Sequence, residues 1–150
     1  MTAYPDTSFL CAIYVKQSNS PVAAAHAATM KEPLYLSELL LYEFCQSLRF
    51  QVWRRMSNPR EGLASADAQT ALLQIEADLA NGVAVLVPCN LVQVLHRARQ
   101  ISQRHTASMG CRSLDILHTA TALHLGVREF LTFDERQSKL AQAEGLKVKP

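Results

Sequence analysis

Short apolar segments alternate with longer helical segments along this chain of 150 residues. The clearest apolar segment is residues 83–87, which follows Asn81-Gly82 and ends at Pro88. The other predicted strands are a very short one that leads to Pro5 and residues 34–36, 130–132 and 146–148. Such alternation is typical of parallel strands joined by crossover helices. The sequence therefore predicts an α/β fold of three layers, with helices on both faces of a central, mostly parallel sheet of four to five strands.

Seven helical segments are predicted from the spacing of apolar residues and from capping residues. They cover residues 6–13, 21–30, 37–55, 65–79, 90–105, 113–125 and 134–145. Residues 106–110 are predicted to be a loop. Residues 83–87 are apolar throughout, which predicts a strand covered on both faces. The length suits one domain, residues 1–150.

Four acidic residues lie where these elements begin or end. Asp6 follows the first strand, Asp134 follows the fourth, and Asp115 lies in the first turn of its helix. Glu43 lies beside the apolar stripe of the helix over residues 37–55. Each aspartate alone could be a helix cap, and Glu43 alone a solvated residue. Together they are expected to converge on the edge formed by the carboxyl ends of the strands, where parallel sheets bind ligands.

A cluster of carboxylates needs a counter-charge. Two unit charges ~4 Å apart repel by roughly 4 kcal/mol at an effective dielectric constant of about 20. A shared proton or a bound divalent cation relieves this repulsion, and oxygen ligands favour magnesium or manganese. The sequence therefore predicts metal-dependent phosphate chemistry. Ser8 and Thr132, each two residues from an aspartate, are expected to orient carboxylates, whereas Thr7 is expected only to cap its helix.

Other kinds of site find little support in the sequence. The formal net charge of +2 is mild, and the two arginine groups (residues 49–60 and 97–104) suit either solvated helix faces or contact with phosphate. The four cysteines are widely spaced, which favours reduced thiols over disulfides or a zinc site. No glycine-rich nucleotide loop occurs. His118, three residues after Asp115, is interpreted as a packing residue.

Four segments carry the acidic residues: residues 4–10, Glu43 after Leu36-Ser37, residues 112–120 and residues 131–136. Their order and spacing resemble the four acidic signatures of the PIN-domain family, and most closely those of its VapC-type bacterial ribonuclease toxins. Pro5 departs from the pattern, because the first strand of the family more often carries an apolar residue there. Proline lacks the backbone donor, so the length of this strand is open.

The resemblance implies a PIN-like fold and RNA cleavage that depends on Mg²⁺ or Mn²⁺. It implies a catalytic acidic set consisting of Asp6, Glu43, Asp115 and Asp134. Asp6 and Asp115 would bind the metal, and Glu43 and Asp134 would do so directly or through water. The supporting residues would be Ser8, Thr132 and Arg112. Arg112 could contact phosphate or serve as an ion-pair partner.

The toxin branch also implies an RNA substrate, a small antitoxin protein, a homodimer and a cytoplasmic location without a membrane. The start of the chain has no signal-peptide pattern, in agreement with that location. The antitoxin groove is expected between the first helices and the helix of Glu43, where Leu39, Tyr42 and Phe50 lie outside the buried stripe. These three residues could instead pack against neighbouring helices or a second copy.

Two alternatives remain open. One is a housekeeping PIN-domain nuclease without an antitoxin, and the other is a PIN-like binding module that has lost catalysis. A receiver fold is disfavoured because Val87-Pro88-Cys89 supplies no aspartate after the third strand. A phosphatase of the D-x-D type is disfavoured by Asp6-Thr7-Ser8.

Overall fold

The computed structural model describes all 150 residues and contains seven α-helices and five short β-strands. The strands are β1 (Ala3–Pro5), β2 (Leu34–Leu36), β3 (Ala84–Leu86), β4 (Glu129–Leu131) and β5 (Lys147–Lys149). The helices are α1 (Thr7–Tyr14), α2 (Ser20–Thr29), α3 (Glu38–Ser57), α4 (Ser65–Ala80), α5 (Leu91–Met109), α6 (Ser113–His124) and α7 (Glu135–Ala143). No helix is long and apolar enough to cross a membrane.

The strands pair in parallel and lie in the order β3-β2-β1-β4-β5. Hydrogen bonds join β1 to β4 and β4 to β5, with Tyr4 opposite Phe130 and Phe130 opposite Val148. A second ladder joins β2 to β3, and β2 lies beside β1. Helices α1–α4 contact one another, as do α5–α7, which gives two helical groups around the strands. The predicted α/β architecture with a parallel sheet is confirmed.

Pro5 accounts for the lack of a hydrogen-bonded ladder between the neighbouring strands β1 and β2. The Asp6 N–H donates to the Leu131 carbonyl at 2.9 Å, and the Thr2 carbonyl accepts from the Glu129 N–H, so these even-numbered residues face β4. Because backbone groups of successive strand residues point to opposite edges, Pro5 faces β2. Proline has no N–H to donate there. The pairing of β1 with β4 is unaffected, and Asp6 is therefore fixed at the end of β1.

The core lies mainly between the strands and helices α1, α3 and α4. Its largest fully buried side chains include Tyr4, Phe9, Phe44 and Phe130. A smaller apolar cluster joins α5, α6 and α7. Tyr4 and Phe130 are paired across β1 and β4, so burial of these rings stabilises the two strands that end at Asp6 and Thr132.

Most element boundaries lie within two residues of the predicted ones, and the end of α5 differs the most. Residues 106–109 form the last turn of α5 rather than a loop, because they contain no helix-breaking residue. The helix ends at Gly110, whose φ of 63° is a left-handed conformation that glycine adopts without strain. The last strand is residues 147–149, one residue later than predicted.

The prediction that the strand over residues 83–87 is covered on both faces is wrong. The strand is only three residues long, and of these only Ala84 is buried. Val83 is 53% exposed and Leu86 is 37% exposed. The physical reason is position, because β3 pairs only with β2 and forms an edge of the sheet.

Candidate active site

Asp6 is the buried centre of the site. It follows β1 and caps α1, because its Oδ1 accepts the Phe9 N–H at 2.9 Å. The same oxygen accepts the Ser8 hydroxyl at 2.7 Å, and Oδ2 accepts the Thr132 hydroxyl at 2.5 Å. Only 5% of Asp6 is exposed. This carboxylate is held by groups that follow β1 and by one that follows β4, all at the carboxyl end of the pair.

Burial raises the pKa of Asp6 above its usual range, although hydrogen bonds from Thr132, Ser8 and Phe9 act in the opposite direction. Loss of hydration is therefore the largest cause of the shift. A cation beside Asp6 would favour the ionised form and reverse the shift.

Ser8 and Thr132 join the turn after β1 to the turn after β4. Ser8 Oγ accepts the Phe133 N–H at 2.8 Å, and Thr132 Oγ1 accepts the Asp134 N–H at 2.9 Å. The two hydroxyl oxygens are 3.3 Å apart. These hydroxyls therefore hold the Asp6 carboxylate and the backbone of Asp134 at one edge of the sheet.

Glu43 lies on α3 with 22% of its side chain exposed. Its Oε2 accepts hydrogen bonds from Thr7 Oγ1 and from His118 Nε2, the latter at 2.6 Å. Burial alone would raise the pKa of Glu43, but the hydrogen bond from His118, electrostatic attraction to its ring and the hydrogen bond from Thr7 outweigh burial, and the pKa is lowered. Glu43 is therefore held ionised, with Oε2 occupied.

Asp134 and Asp115 both act as helix caps. Asp134 Oδ1 accepts the N–H groups of Arg136 and Gln137 at 2.8 and 3.0 Å. Asp115 Oδ2 accepts the Arg112 N–H at 3.2 Å. In each case the other carboxylate oxygen accepts no hydrogen bond from the protein. The cap interpretation applies to both residues and leaves one oxygen of each for a ligand.

Gln137 connects the helices that carry these two aspartates. Its side chain is buried, its Nε2 donates to the Asp115 carbonyl at 3.1 Å, and its backbone N–H donates to Asp134 Oδ1 at 3.0 Å. Arg112, at the start of α6, is exposed and forms no ion pair. A role for Gln137 has no signal in the sequence, because an isolated glutamine in a helix is ordinarily a surface residue.

The four carboxylates have no basic partner among lysine and arginine. Elsewhere in the molecule, four glutamates form ion pairs with basic side chains or the N-terminal amine: Glu32, Glu61, Glu129 and Glu144. The other five acidic residues outside the site form none: Glu38, Asp67, Glu76, Asp78 and Glu135. Among the four site acids only Glu43 contacts a basic side chain, and that side chain is His118. The site is therefore short of positive charge.

The donor chemistry fits a hard divalent cation. Glu43 Oε1, Asp115 Oδ1 and Asp134 Oδ2 accept no hydrogen bond, and Asp6 Oδ2 accepts only one. However, no three acidic, histidine or cysteine groups lie close enough together to form a closed metal cage. Magnesium commonly binds through one or two carboxylates and retains several waters, so this open arrangement suits it.

Three residues at the site were not predicted to act there. Thr7 was interpreted as a cap, but Asp6 is the cap and the Thr7 hydroxyl donates to Glu43. His118 was interpreted as a packing residue, yet both of its ring nitrogens form hydrogen bonds, to Glu43 and to Tyr4. The signal for His118 was its spacing of three from Asp115, which puts both on neighbouring parts of one helix face.

The residues expected to line a partner groove do not line the larger cavities. Tyr42 and Phe50 are exposed on α3, and Leu39 is half-buried. The most prominent apolar groove lies instead between α5 and α6, has a volume of about 600 Å³, and includes Val92 and Ile116. None of the four acidic residues lines it.

The fold is similar to those of solved structures. VapC20 from Mycobacterium tuberculosis matches with a TM-score of 0.68 and 18% identity over 99% of this chain and 100% of that chain. FitAcB from Neisseria gonorrhoeae matches with a TM-score of 0.66 and 18% identity, over 99% and 97%. VapBC-1 from nontypeable Haemophilus influenzae matches with a TM-score of 0.66 and 14% identity, over 99% of this chain and 97% of that chain.

At these identities the likeness concerns the fold alone, and no curated protein matches the chain. The family comparison is more specific. A model of the PIN domain matches residues 3–143, which include all four acidic residues, and the chain therefore belongs to the PIN-domain family.

Proposed function

We propose that this protein is a metal-dependent endoribonuclease that acts as the toxin of a toxin–antitoxin pair. The observation that carries the proposal is the set of four PIN-signature carboxylates without a lysine or arginine partner, each with an oxygen lone pair left free. The similar VapC20 structure is described as a toxin that cleaves the sarcin–ricin loop. The proposed substrate of the present chain is RNA, without a specified target.

The proposed metal is Mg²⁺ or Mn²⁺, with Asp6 and Asp115 as direct ligands and Glu43 and Asp134 binding directly or through water. When bound, such an ion lowers the pKa of a bound water and stabilises the charge that develops on phosphate during in-line displacement. Ser8 and Thr132 hold the Asp6 carboxylate in place.

The remaining groups have separate tasks in the proposed reaction. Glu43, held ionised, can accept a proton or hydrogen bond at Oε1 from the attacking water. The exposed Arg112 side chain can approach a phosphate oxygen. The acidic edge repels RNA until a cation is bound, so substrate binding is expected to depend on the metal as well.

The proposed partners are a small antitoxin protein and a second copy of the chain, and the proposed location is the cytoplasm. We also propose that residues 1–150 form one domain. An antitoxin suited to this edge would insert an arginine toward the carboxylates and pack an amphipathic helix on an apolar surface. A housekeeping nuclease with the same site but without an antitoxin is the second candidate. The intact acidic set disfavours a binding module that has lost catalysis.

The experiment is inducible expression of the wild type beside Asp6→Asn, with growth and RNA integrity as readouts. Asp6→Asn keeps the shape of the side chain and removes its charge. We expect the wild type to arrest growth and degrade RNA, and Asp6→Asn to do neither. Asp78→Asn is the matched control, because Asp78 is a half-buried hydrogen-bonded aspartate on α4. It should be as toxic as the wild type.

Two results would contradict the proposal. Full toxicity of Asp6→Asn would exclude a catalytic role for this carboxylate. If the wild type cleaves RNA in vitro but is harmless in cells, and no small protein co-purifies from the native host, the housekeeping nuclease replaces the toxin.

A further inference from the structure

A chain of buried polar groups leads from the start of α3 to the Glu43 carboxylate. Ser37 Oγ lies 2.8 Å from the Tyr4 hydroxyl, which lies 3.2 Å from His118 Nδ1. His118 Nε2 lies 2.6 Å from Glu43 Oε2. Ser37, Tyr4 and His118 are 2%, 0% and 3% exposed. The chain is therefore shielded from water until it reaches Glu43.

The hydrogen-bonding capacities of these groups set one direction for the chain. The Leu40 N–H donates to Ser37 Oγ at 3.2 Å, which leaves the Ser37 O–H to donate to the Tyr4 oxygen. The Tyr4 O–H then donates to His118 Nδ1, and the ring proton on Nε2 donates to Glu43. Every donor has an acceptor when His118 is the neutral Nε2–H tautomer.

The opposite direction leaves a proton without an acceptor. A His118 ring with its proton on Nδ1 would donate from Nδ1 to the Tyr4 oxygen, and Tyr4 would donate to Ser37 Oγ. Ser37 Oγ forms hydrogen bonds only with Tyr4 and the Leu40 N–H. Its own proton would then be buried without a partner, which is unfavourable.

We propose that His118 is a positioning residue for the metal site, with its tautomer fixed by Tyr4 and Ser37. Its Nε2–H holds Glu43 Oε2 and leaves Oε1, which accepts no hydrogen bond, for the cation or for a water bound to it. The contribution to metal binding and cleavage rests on the proposed function, whereas the tautomer does not.

The location of this chain of hydrogen bonds distinguishes a positioning role for His118 from simple packing. Tyr4 precedes Asp6 by two residues on β1, and His118 follows Asp115 by three residues on α6. Glu43 lies on α3. The hydrogen bonds therefore join α3 and α6, which carry Glu43 and Asp115, to β1, which leads directly to Asp6. Apolar side chains would fill the same space without the cost of burying polar groups. Groups that hydrogen-bond to metal ligands orient those ligands and raise metal affinity.

The tautomer is tested by NMR on metal-free protein with ¹⁵N-labelled histidine rings at neutral pH. The His118 signals are assigned by their loss in His118→Gln. We expect the ring proton on Nε2 in the wild type, and a mixture of tautomers in Tyr4→Phe. A wild-type ring with its proton on Nδ1 and none on Nε2 would overturn the proposal.

The positioning role is tested by Mn²⁺ titration calorimetry. His118→Leu removes the donor, and we expect Mn²⁺ affinity to fall roughly 10- to 100-fold. His118→Gln can donate from its amide, so affinity should stay within about threefold of the wild type. Tyr4→Phe should weaken binding by less than His118→Leu does. It is the variant to measure if His118→Leu does not fold. Excess Mn²⁺ should restore RNA cleavage in both, with the KM for RNA unchanged.

His105→Leu is the matched control. His105 Nε2 lies 2.7 Å from Glu144, at the opposite end of α7 from Asp134. This variant should lose stability but bind Mn²⁺ as the wild type does. Wild-type Mn²⁺ affinity in folded His118→Leu, or an equal loss in His105→Leu, would overturn the positioning role.

The two proposals fail separately. If the wild type binds Mn²⁺ and His118→Leu binds it more weakly, but the wild type does not cleave RNA, only the proposed nuclease activity is contradicted. A wild type that binds no Mn²⁺ at millimolar concentration would overturn the positioning role together with the metal site.

Discussion

Two histidine–glutamate pairs have nearly equal nitrogen–oxygen distances but different surroundings. His118 Nε2 lies 2.6 Å from Glu43, and His105 Nε2 lies 2.7 Å from Glu144. Glu144 also receives three hydrogen bonds from Arg104, which occupy both of its oxygens. Glu43 receives none from lysine or arginine, and its Oε1 is free. Glu144 is neutralised within the fold, whereas Glu43 keeps a free oxygen for the proposed cation.

We propose that this difference distinguishes Glu144, a structural carboxylate, from Glu43, a functional one. The pKa values of both glutamates are lowered, with burial opposing the shift in each case, so an altered pKa does not separate them. What separates them is the unoccupied oxygen and the missing positive charge. The same criterion applies to Asp6, Asp115 and Asp134, which have no basic partner.

The largest expected effect is on cleavage by Glu43→Gln. We expect the rate to fall by roughly 10²–10⁴, the range typical of losing one positioned catalytic group. Glu144→Gln should cleave RNA at the wild-type rate. The measurement is cleavage of a labelled RNA with Mg²⁺ at matched protein concentration. Equal losses in the two variants would remove the distinction between the glutamates.

The second expected effect is stabilisation by metal. An ion that binds only the native state adds about 2.7 kcal/mol at a concentration 100 times its Kd. We expect Mn²⁺ to raise the melting temperature of the wild type and of Glu144→Gln, but to raise that of Asp6→Asn much less. Thermal denaturation with and without chelator measures this. An equal rise of the melting temperature in Asp6→Asn would show that the ion binds at a site other than the Asp6 carboxylate.

The third effect concerns stability without metal. Glu144→Gln should lower the free energy of unfolding by about 1–2 kcal/mol at pH 7, because charge-assisted bonds from Arg104 and His105 are lost. Since the pKa of Glu144 is lowered in the native state, its contribution is present above the unfolded pKa and is lost as pH falls through the folded pKa. Urea denaturation at pH 7 and at acidic pH measures both. A variant as stable as the wild type at pH 7 would contradict the structural role.

The smallest effect has the opposite sign and concerns Asp6. Its pKa is raised by burial, so the metal-free native state loses stability as pH rises from the unfolded pKa through the folded pKa. Asp6→Asn should therefore melt higher than metal-free wild type at pH 7, by ~2–4 °C for each kcal/mol gained. At a pH below the unfolded pKa the difference should vanish. A lower melting temperature for Asp6→Asn at pH 7 would show that the charge stabilises the fold.

Much of the fold was predictable because its signals are local. A period of 3.6 residues identifies α3, and capping residues mark the start of α7. The end of α5 was missed because the polar residues 106–109 are compatible with both a helix and a loop. The exposure of β3 was missed because an apolar run does not indicate which strand lies at the edge.

The site was predictable only in its carboxylates. Asp6 and Asp134 follow strands, and the topology of a parallel sheet brings such positions to one edge. The link between Tyr4 and His118 spans 114 residues, and Tyr4 resembles any buried strand residue. No local pattern predicts such a contact. Thr7 was misinterpreted because its neighbour Asp6 is the cap.

The most direct test of the proposed metal site is a calorimetric titration of Mn²⁺ into metal-free wild type and Asp6→Asn, with Glu144→Gln as control. We predict saturable binding to the wild type and to Glu144→Gln, and at least about a tenfold weaker affinity in Asp6→Asn. Binding of equal affinity in all three proteins, or no binding to the wild type at millimolar Mn²⁺, would contradict a metal site at these carboxylates.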